Sequence, residues 1–145
     1  MAGGRHDVHD VHDVEAMVAN VALFSGLSHR QVHKLVDRAR EVKHPAGQEV
    51  AAQGMGALAF HLVLGGHASV TRDGREIRTL GPGEYFGEIG MIDGKPRSAT
   101  VTATEDMITL AVPHQEFERL VGEEPDFARA LLGTLCARIR EAEAR

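Results

Sequence analysis

From residue 41 onward the apolar runs are short, and glycine cuts them at Gly47, Gly54, Gly56, Gly65, Gly66, Gly74, Gly81 and Gly83. Each interval has room for about one strand and one turn. That rhythm excludes a helical bundle through the middle of the chain and predicts eight or so short antiparallel strands. Such strands close into a jelly roll or a related sandwich. Asp73-Gly74, between 68–71 and 77–80, is a hairpin turn signal. Phe60, His61, Leu62, Val63 and Leu64 alternate poorly, which predicts a strand buried on both faces. Residues 101–103 and 107–112 read as the closing strands.

Helical spacing flanks this region. Val14, Met17, Val18 and Val21 recur at three and four residues. After a loop over 24–28, Ser28 is suited to cap a second helix carrying Val32, Leu35, Val36 and Ala39. Pro113 marks the exit from the sheet. A short helix is predicted over 115–121, ended by Gly122. Pro125 then starts a last helix reaching about Glu143, with Glu123, Glu124 and Asp126 at its positive end. Its stripe of Phe127, Ala130, Leu131, Leu135 and Ile139 has two readings: packing on its own barrel, or a dimer seam.

The chain of 145 residues bounds the fold to one core, and no apolar stretch approaches the length of a membrane span. The first residues lack the apolar segment of a signal peptide, so the chain reads as cytoplasmic. The single cysteine, Cys136, excludes an internal disulfide and is expected to be a buried thiol in the last helix. A net charge of −5 without clustered Lys and Arg argues against a nucleic-acid surface. His6, His9 and His12 recur at every third position in a His-Asp-Val repeat. Three imidazoles on one helix face would suit a transition metal, but no second ligand cluster accompanies them. Residues 1–13 therefore read as a low-complexity leader, and 14–145 as the domain.

The chemistry gathers in FGEIGMIDGKPRSATV, residues 86–101. Gly83, Gly87 and Gly90 bracket Glu88 and permit a tight turn. A short helical turn starting near Gly87 would aim free N–H groups at an anion. Arg97 supplies a planar fork matched to two phosphate oxygens, and Ser98 adds a hydroxyl. A carboxylate repels phosphate, so the natural partner of Glu88 is a hydroxyl such as a ribose 2′-OH. Acid for sugar and guanidinium for phosphate read as nucleotide recognition. The residues taken alone equally allow an ordinary ion pair between Glu88 and Arg97.

The same segment resembles the phosphate-binding cassette of the cyclic nucleotide-binding domain family. Phe86, Gly87, Glu88, Ile89, Gly90, Pro96, Arg97, Ser98, Ala99, Thr100 and Val101 match its pattern. Leu23 to Ser28 resembles the family's approach to the barrel, and Phe60 stands where a tyrosine is commoner. The resemblance extends from about residue 20 to 145. It implies a mainly β fold with flanking N- and C-terminal helices, an antiparallel β-roll or jelly-roll barrel (double-stranded β-helix). It also implies a regulatory sensor and not an enzyme, with cyclic AMP favoured as ligand and cyclic GMP the other candidate. No metal or further cofactor is implied.

By the resemblance, Arg97 pairs with the cyclic phosphate and Glu88 takes the 2′-hydroxyl. Gly87, Ile89 and Ser98 complete the anion site within a cassette that includes Phe86, Gly90 and Ala99. The base is held by apolar barrel contacts and by the last helix. Serine directly after the cassette arginine is common in bacterial cyclic AMP receptors, whereas threonine there favours guanine. Arg138 is placed to approach the Glu88 carboxylate, and Ala142 stands where the family's transcription regulators offer adenine a hydroxyl. No DNA-binding helix-turn-helix follows, so the resemblance implies an effector outside this sequence, with a homodimer through the last helix possible. The alternatives are a nucleotide-free scaffold or dimerisation domain of the same fold, and a cupin-type metal enzyme. The last needs a His-x-His pair, but His61 and His67 stand six residues apart.

Overall fold

The computed structural model describes residues 11–52, 54, 59–88, 92 and 95–144. The helices are α1 (Val11–Ala19), α2 (His29–Arg38), α3 (His114–Glu123) and α4 (Pro125–Glu143). The strands are β1 (Arg40–His44), β2 (Glu49–Ala51), β3 (Ala59–Gly65), β4 (Ala68–Arg72), β5 (Arg75–Leu80), β6 (Tyr85–Phe86), β7 (Thr100–Ala103) and β8 (Met107–Pro113). Two four-stranded antiparallel sheets result, ordered β1-β8-β3-β6 and β2-β7-β4-β5.

Local chemistry sets several boundaries. Ser28 accepts from the Gln31 amide while the Gln31 side chain accepts from the Ser28 amide, a reciprocal cap that starts α2. At the β4–β5 turn Asp73 and Gly74 both have positive φ, 53° and 79°, the backbone a two-residue hairpin needs. The loop expected over 24–28 begins earlier, with a 3₁₀ turn at Ala22–Phe24. Gly122 does not end α3, which runs on to Glu123. The terminator is Glu124, extended at φ −118° and ψ 93°, because the residue before Pro125 is barred from helical geometry.

Two cores sit on opposite faces of the first sheet, and β3 feeds both by alternation. Phe60, Leu62 and Leu64 pack with Val18, Phe24, Leu35, Phe117, Leu120 and Phe127 from the helices. Val63 joins Ala51, Ala68, Val70, Leu80, Phe86, Val101, Ala103 and Met107 between the sheets. That explains the poor alternation of polarity over 60–64, since all five residues are buried. Phe24 and Phe127 stack at 5.6 Å and Phe117 meets Phe127 edge-on at 5.7 Å, which pins the first turn of α4 to the helical core. Glu116 is buried with Arg38 at 3.1 Å and Arg119 beside it, tying α3 to α2. Burial raises its carboxyl, but hydrogen bonds from Arg119 and Arg38 outweigh this and hold it below the ordinary value.

The last helix buries only part of its stripe and corrects the expectation for Cys136. Its stripe is buried only at Phe127 and Leu131, whereas Ile139 is 58% exposed. Cys136 is exposed, because it lies about 100° round the helix from Leu135 and so away from the inward stripe. The His-Asp-Val repeat at His6 and His9 lies outside the described residues. Within them, no three His, Cys, Asp or Glu side chains gather as a metal site. None of the described helices is long and apolar enough to cross a membrane.

Candidate functional site

The interior between the sheets is lined largely by alanine and valine, and small side chains leave space. A cavity of about 410 Å³ opens there, walled by β2, β4, β5, β7, the cassette and the second half of α4. That volume suits a small organic ligand. Phe86, Gly87, Glu88, Arg97, Ser98, Ala99 and Arg138, all read from the sequence as site residues, line it together. Ile89 and Gly90 lie outside the described residues, as does most of the helical turn expected after Gly87.

β6 ends at Phe86, and the chain then turns through Gly87 at φ +95°. A Cβ on Gly87 would stand 2.8 Å from Arg97 Nη1 and 2.9 Å from the Ala59 carbonyl oxygen. Glycine is therefore required twice, for its dihedral and for its lack of bulk. Gly87→Ala is expected to lose about 1–3 kcal/mol of stability and to displace Arg97. Chemical denaturation checks this, and wild-type stability in the variant would contradict the close approach.

Arg97 is half-buried and donates through Nη2 to the Ala59 carbonyl at 3.2 Å. Its own carbonyl accepts from the Gly54 amide at 2.8 Å, which fixes the loop carrying it. Burial lowers the guanidinium from its usual value and Glu88 opposes that; the side chain stays cationic at neutral pH. Arg72 Nε donates to the Ser98 carbonyl at 3.0 Å, so a second cation braces the cassette.

Glu88 is 1% exposed, an expensive place for a carboxylate without a partner. Arg138 Nη1 stands 2.9 Å from its Oε2, at ion-pair distance but without hydrogen-bond alignment within the described residues. Glu88 therefore faces Arg138 while Arg97 is anchored to backbone, and neither consumes the other. Arg138 also donates through Nη2 to the Tyr85 carbonyl at 3.2 Å and lies 5.9 Å over the Tyr85 ring. The Tyr85 hydroxyl bonds Thr134 Oγ1. Burial raises the Tyr85 phenol from its ordinary value, so it is protonated at neutral pH. Through Thr134 and Arg138, α4 is held to the strand that leads into the cassette.

Behind the cavity lies a polar group that the sequence reading missed. His61 opposes Phe86 in the β3–β6 register and stacks on its ring at 4.9 Å, with planes 7° apart. Thr109 Oγ1 lies 3.0 Å from His61 Nδ1 and 2.9 Å from His44 Nε2, and His44 Nδ1 lies 3.1 Å from Gln48 Oε1. With Gln48 accepting, His44 carries its proton on Nδ1, Thr109 donates to His44 Nε2, and His61 Nδ1 donates to Thr109. Burial, then the charges of Arg97 and His44, push the His61 pKa down to about 3. Burial likewise lowers His44. His67 is elsewhere, paired with Glu105 at 2.6 Å on the surface.

A family model described as the cyclic nucleotide-binding domain matches residues 41–124. The chain belongs to that family. It is 33% identical over 111 residues to a cAMP-dependent protein kinase regulatory subunit of Aspergillus niger, covering 75% of this chain and 27% of the relative. It is 32% identical over 126 residues to a cyclic AMP receptor protein of Thermus thermophilus, covering 83% of this chain and 58% of that one. The crystal structure of the Thermus thermophilus catabolite activator protein superposes with a TM-score of 0.77 at 33% identity, covering 85% of this chain and 60% of that chain. The chain thus spans between about a quarter and three-fifths of the length of these relatives.

Proposed function

We propose that residues 14–145 form a sensor domain that binds a cyclic nucleoside monophosphate, with cyclic AMP preferred, and signals by repositioning α4. The observation that carries this reading is the buried Glu88 carboxylate facing the same cavity as the Arg97 fork, in a cassette whose turn only glycine can make. Arg97 would pair with the cyclic phosphate, with the Gly87 backbone, Ile89 and Ser98 beside it. Glu88 would accept from the ribose 2′-hydroxyl while keeping Arg138, since a carboxylate has lone pairs for both. Val70, Ile77, Leu135 and Ile139 supply apolar walls for a base. Exposed Ile139 then has a use, since a bound purine would cover it. The names of the Aspergillus and Thermus relatives support cyclic AMP as the ligand, as does Ser98.

A ligand shifts a conformational equilibrium only through contacts that differ between the two states. Arg138 is placed to supply them, because a ribose at Glu88 changes what its guanidinium meets.

A 2′-deoxy analogue of cyclic AMP tests the sugar assignment. It is expected to bind wild type at least about tenfold more weakly than cyclic AMP, and to bind Glu88→Ala almost equally, since the variant has no acceptor left to tell them apart. Equal discrimination in both proteins would reduce Glu88 to a structural partner of Arg138. Amide hydrogen exchange over residues 125–144, with and without nucleotide, tests the helix: exchange there unchanged by a bound nucleotide would refute the signalling part.

A further inference from the structure

Successive side chains of a strand point to opposite faces, and in β6 those side chains are Tyr85 and Phe86. Phe86 turns into the space between the sheets and lines the cavity described above, while Tyr85 turns to the helical side. There Tyr85 lines a second cavity, of about 630 Å³. The chain from α1 through the 3₁₀ turn supplies Met17, Val21 and Leu23 to its wall, the turn before β6 supplies Pro82, and α4 supplies Ala130 and Thr134. The volume lies in the range of small-molecule sites.

Two features of this wall select a ligand. The described residues that line it carry no charge at neutral pH, since Tyr85 is the ionisable side chain among them and burial keeps its phenol protonated. An ion would lose water there without gaining a counter-charge, so the occupant is neutral. The second feature is an acceptor. Thr134 Oγ1 donates to the Ala130 carbonyl at 3.3 Å, the bond a threonine makes to the preceding turn of its own helix. Its single proton is then spent, so the Tyr85 hydroxyl donates to Thr134 Oγ1. A phenol oxygen that has donated keeps its lone pairs, and these sit at a half-buried position in a mostly apolar wall.

We infer that this cavity is a second ligand site, for a small, neutral, largely apolar molecule that donates a hydrogen bond to the Tyr85 hydroxyl. The inference stands apart from the nucleotide reading, because it uses the opposite face of β6. The occupant bridges the α1 segment to α4, the helix whose later turns line the first cavity.

The test titrates the isotope-labelled whole chain, followed by amide NMR, with indole and with benzofuran, which has the same shape but an oxygen in place of the N–H donor. Indole is expected to saturate one site at a dissociation constant of about 1 mM or tighter, the scale for so small a ligand, and to shift the amides of residues 20–23 and 130–134. Benzofuran binds about fivefold more weakly, the factor of one neutral hydrogen bond. In Tyr85→Phe the two probes bind alike, and Ala22→Trp, which fills the cavity from an exposed position, binds neither. Equal binding of the two probes by wild type, or an Ala22→Trp protein that keeps indole, would overturn the site. Displacement of indole by cyclic AMP with shifts at residues 97–101 would place the probe in the first cavity and overturn it too. A wild-type dimer in sedimentation that Ala22→Trp breaks would give the surface to a second copy instead of a small molecule.

Discussion

Arg97→Leu is expected to weaken cyclic AMP binding by at least about a hundredfold, since two charge-assisted hydrogen bonds to a largely desolvated phosphate contribute about 1.5–3 kcal/mol each. The side chain is held for such a purpose: one terminal nitrogen is anchored to the Ala59 carbonyl, and Gly87 leaves room for the other. Arg97→Lys is expected to recover only part of the affinity, because an ammonium keeps the charge but loses the planar fork. Leucine fills similar space in a half-buried position, so the fold should survive, and thermal unfolding of the variant checks that. Affinity within threefold of wild type in a folded Arg97→Leu protein would remove the phosphate from this site.

Acid should destabilise the fold through His61. In the native state burial and the charges of Arg97 and His44 hold its pKa at about 3, against 6.5 in the unfolded chain. Between those values the unfolded state binds more protons, so stability rises with pH across that window. His61's contribution is complete above pH 6.5, declines as pH falls below it, and is gone near pH 3. At about 1.4 kcal/mol per unit, the loss reaches about 3 kcal/mol by pH 4, a large share of a small domain's stability. Urea denaturation of wild type and His61→Gln between pH 7 and pH 4 isolates this term, because other groups titrate alike in both. Wild type should lose about 3 kcal/mol more than the variant. Parallel pH profiles would contradict the buried, neutral imidazole. Nucleotide at Arg97 would offset one of the charges that depress His61, so ligand should flatten the acid loss slightly.

The parts of this fold legible in the sequence are those where a residue acts alone or on near neighbours. Asp73-Gly74 can only turn, Ser28 caps a helix with the Gln31 three residues on, and Pro125 starts another. The cassette is legible for the same reason, since Gly87, Glu88 and Arg97 lie within eleven residues of one another. Arg138 lies fifty residues from Glu88 in sequence and stands 2.9 Å from its carboxylate only because α4 returns to the barrel. What escaped depends on residues brought together by the barrel. His44, His61 and Thr109 sit on three strands, and nothing in their local sequence announces a shared hydrogen-bonded group. Tyr85 and Thr134 likewise look like ordinary polar residues until β6 and α4 meet. Gly122 misled because its C-cap signal is weaker than the backbone restriction Pro125 imposes on Glu124. Cys136 misled because cysteine's preference for burial is an average, and its position on α4 faces away from the core.

Calorimetric titration of the wild-type chain with cyclic AMP is the most direct measurement. A single saturable site should appear in wild type, with cyclic GMP binding more weakly and Arg97→Leu giving no measurable heat at the same concentrations. The absence of saturable heat in folded wild-type protein, or a site that Arg97→Leu leaves intact, would contradict a cyclic nucleotide held between the cassette and α4.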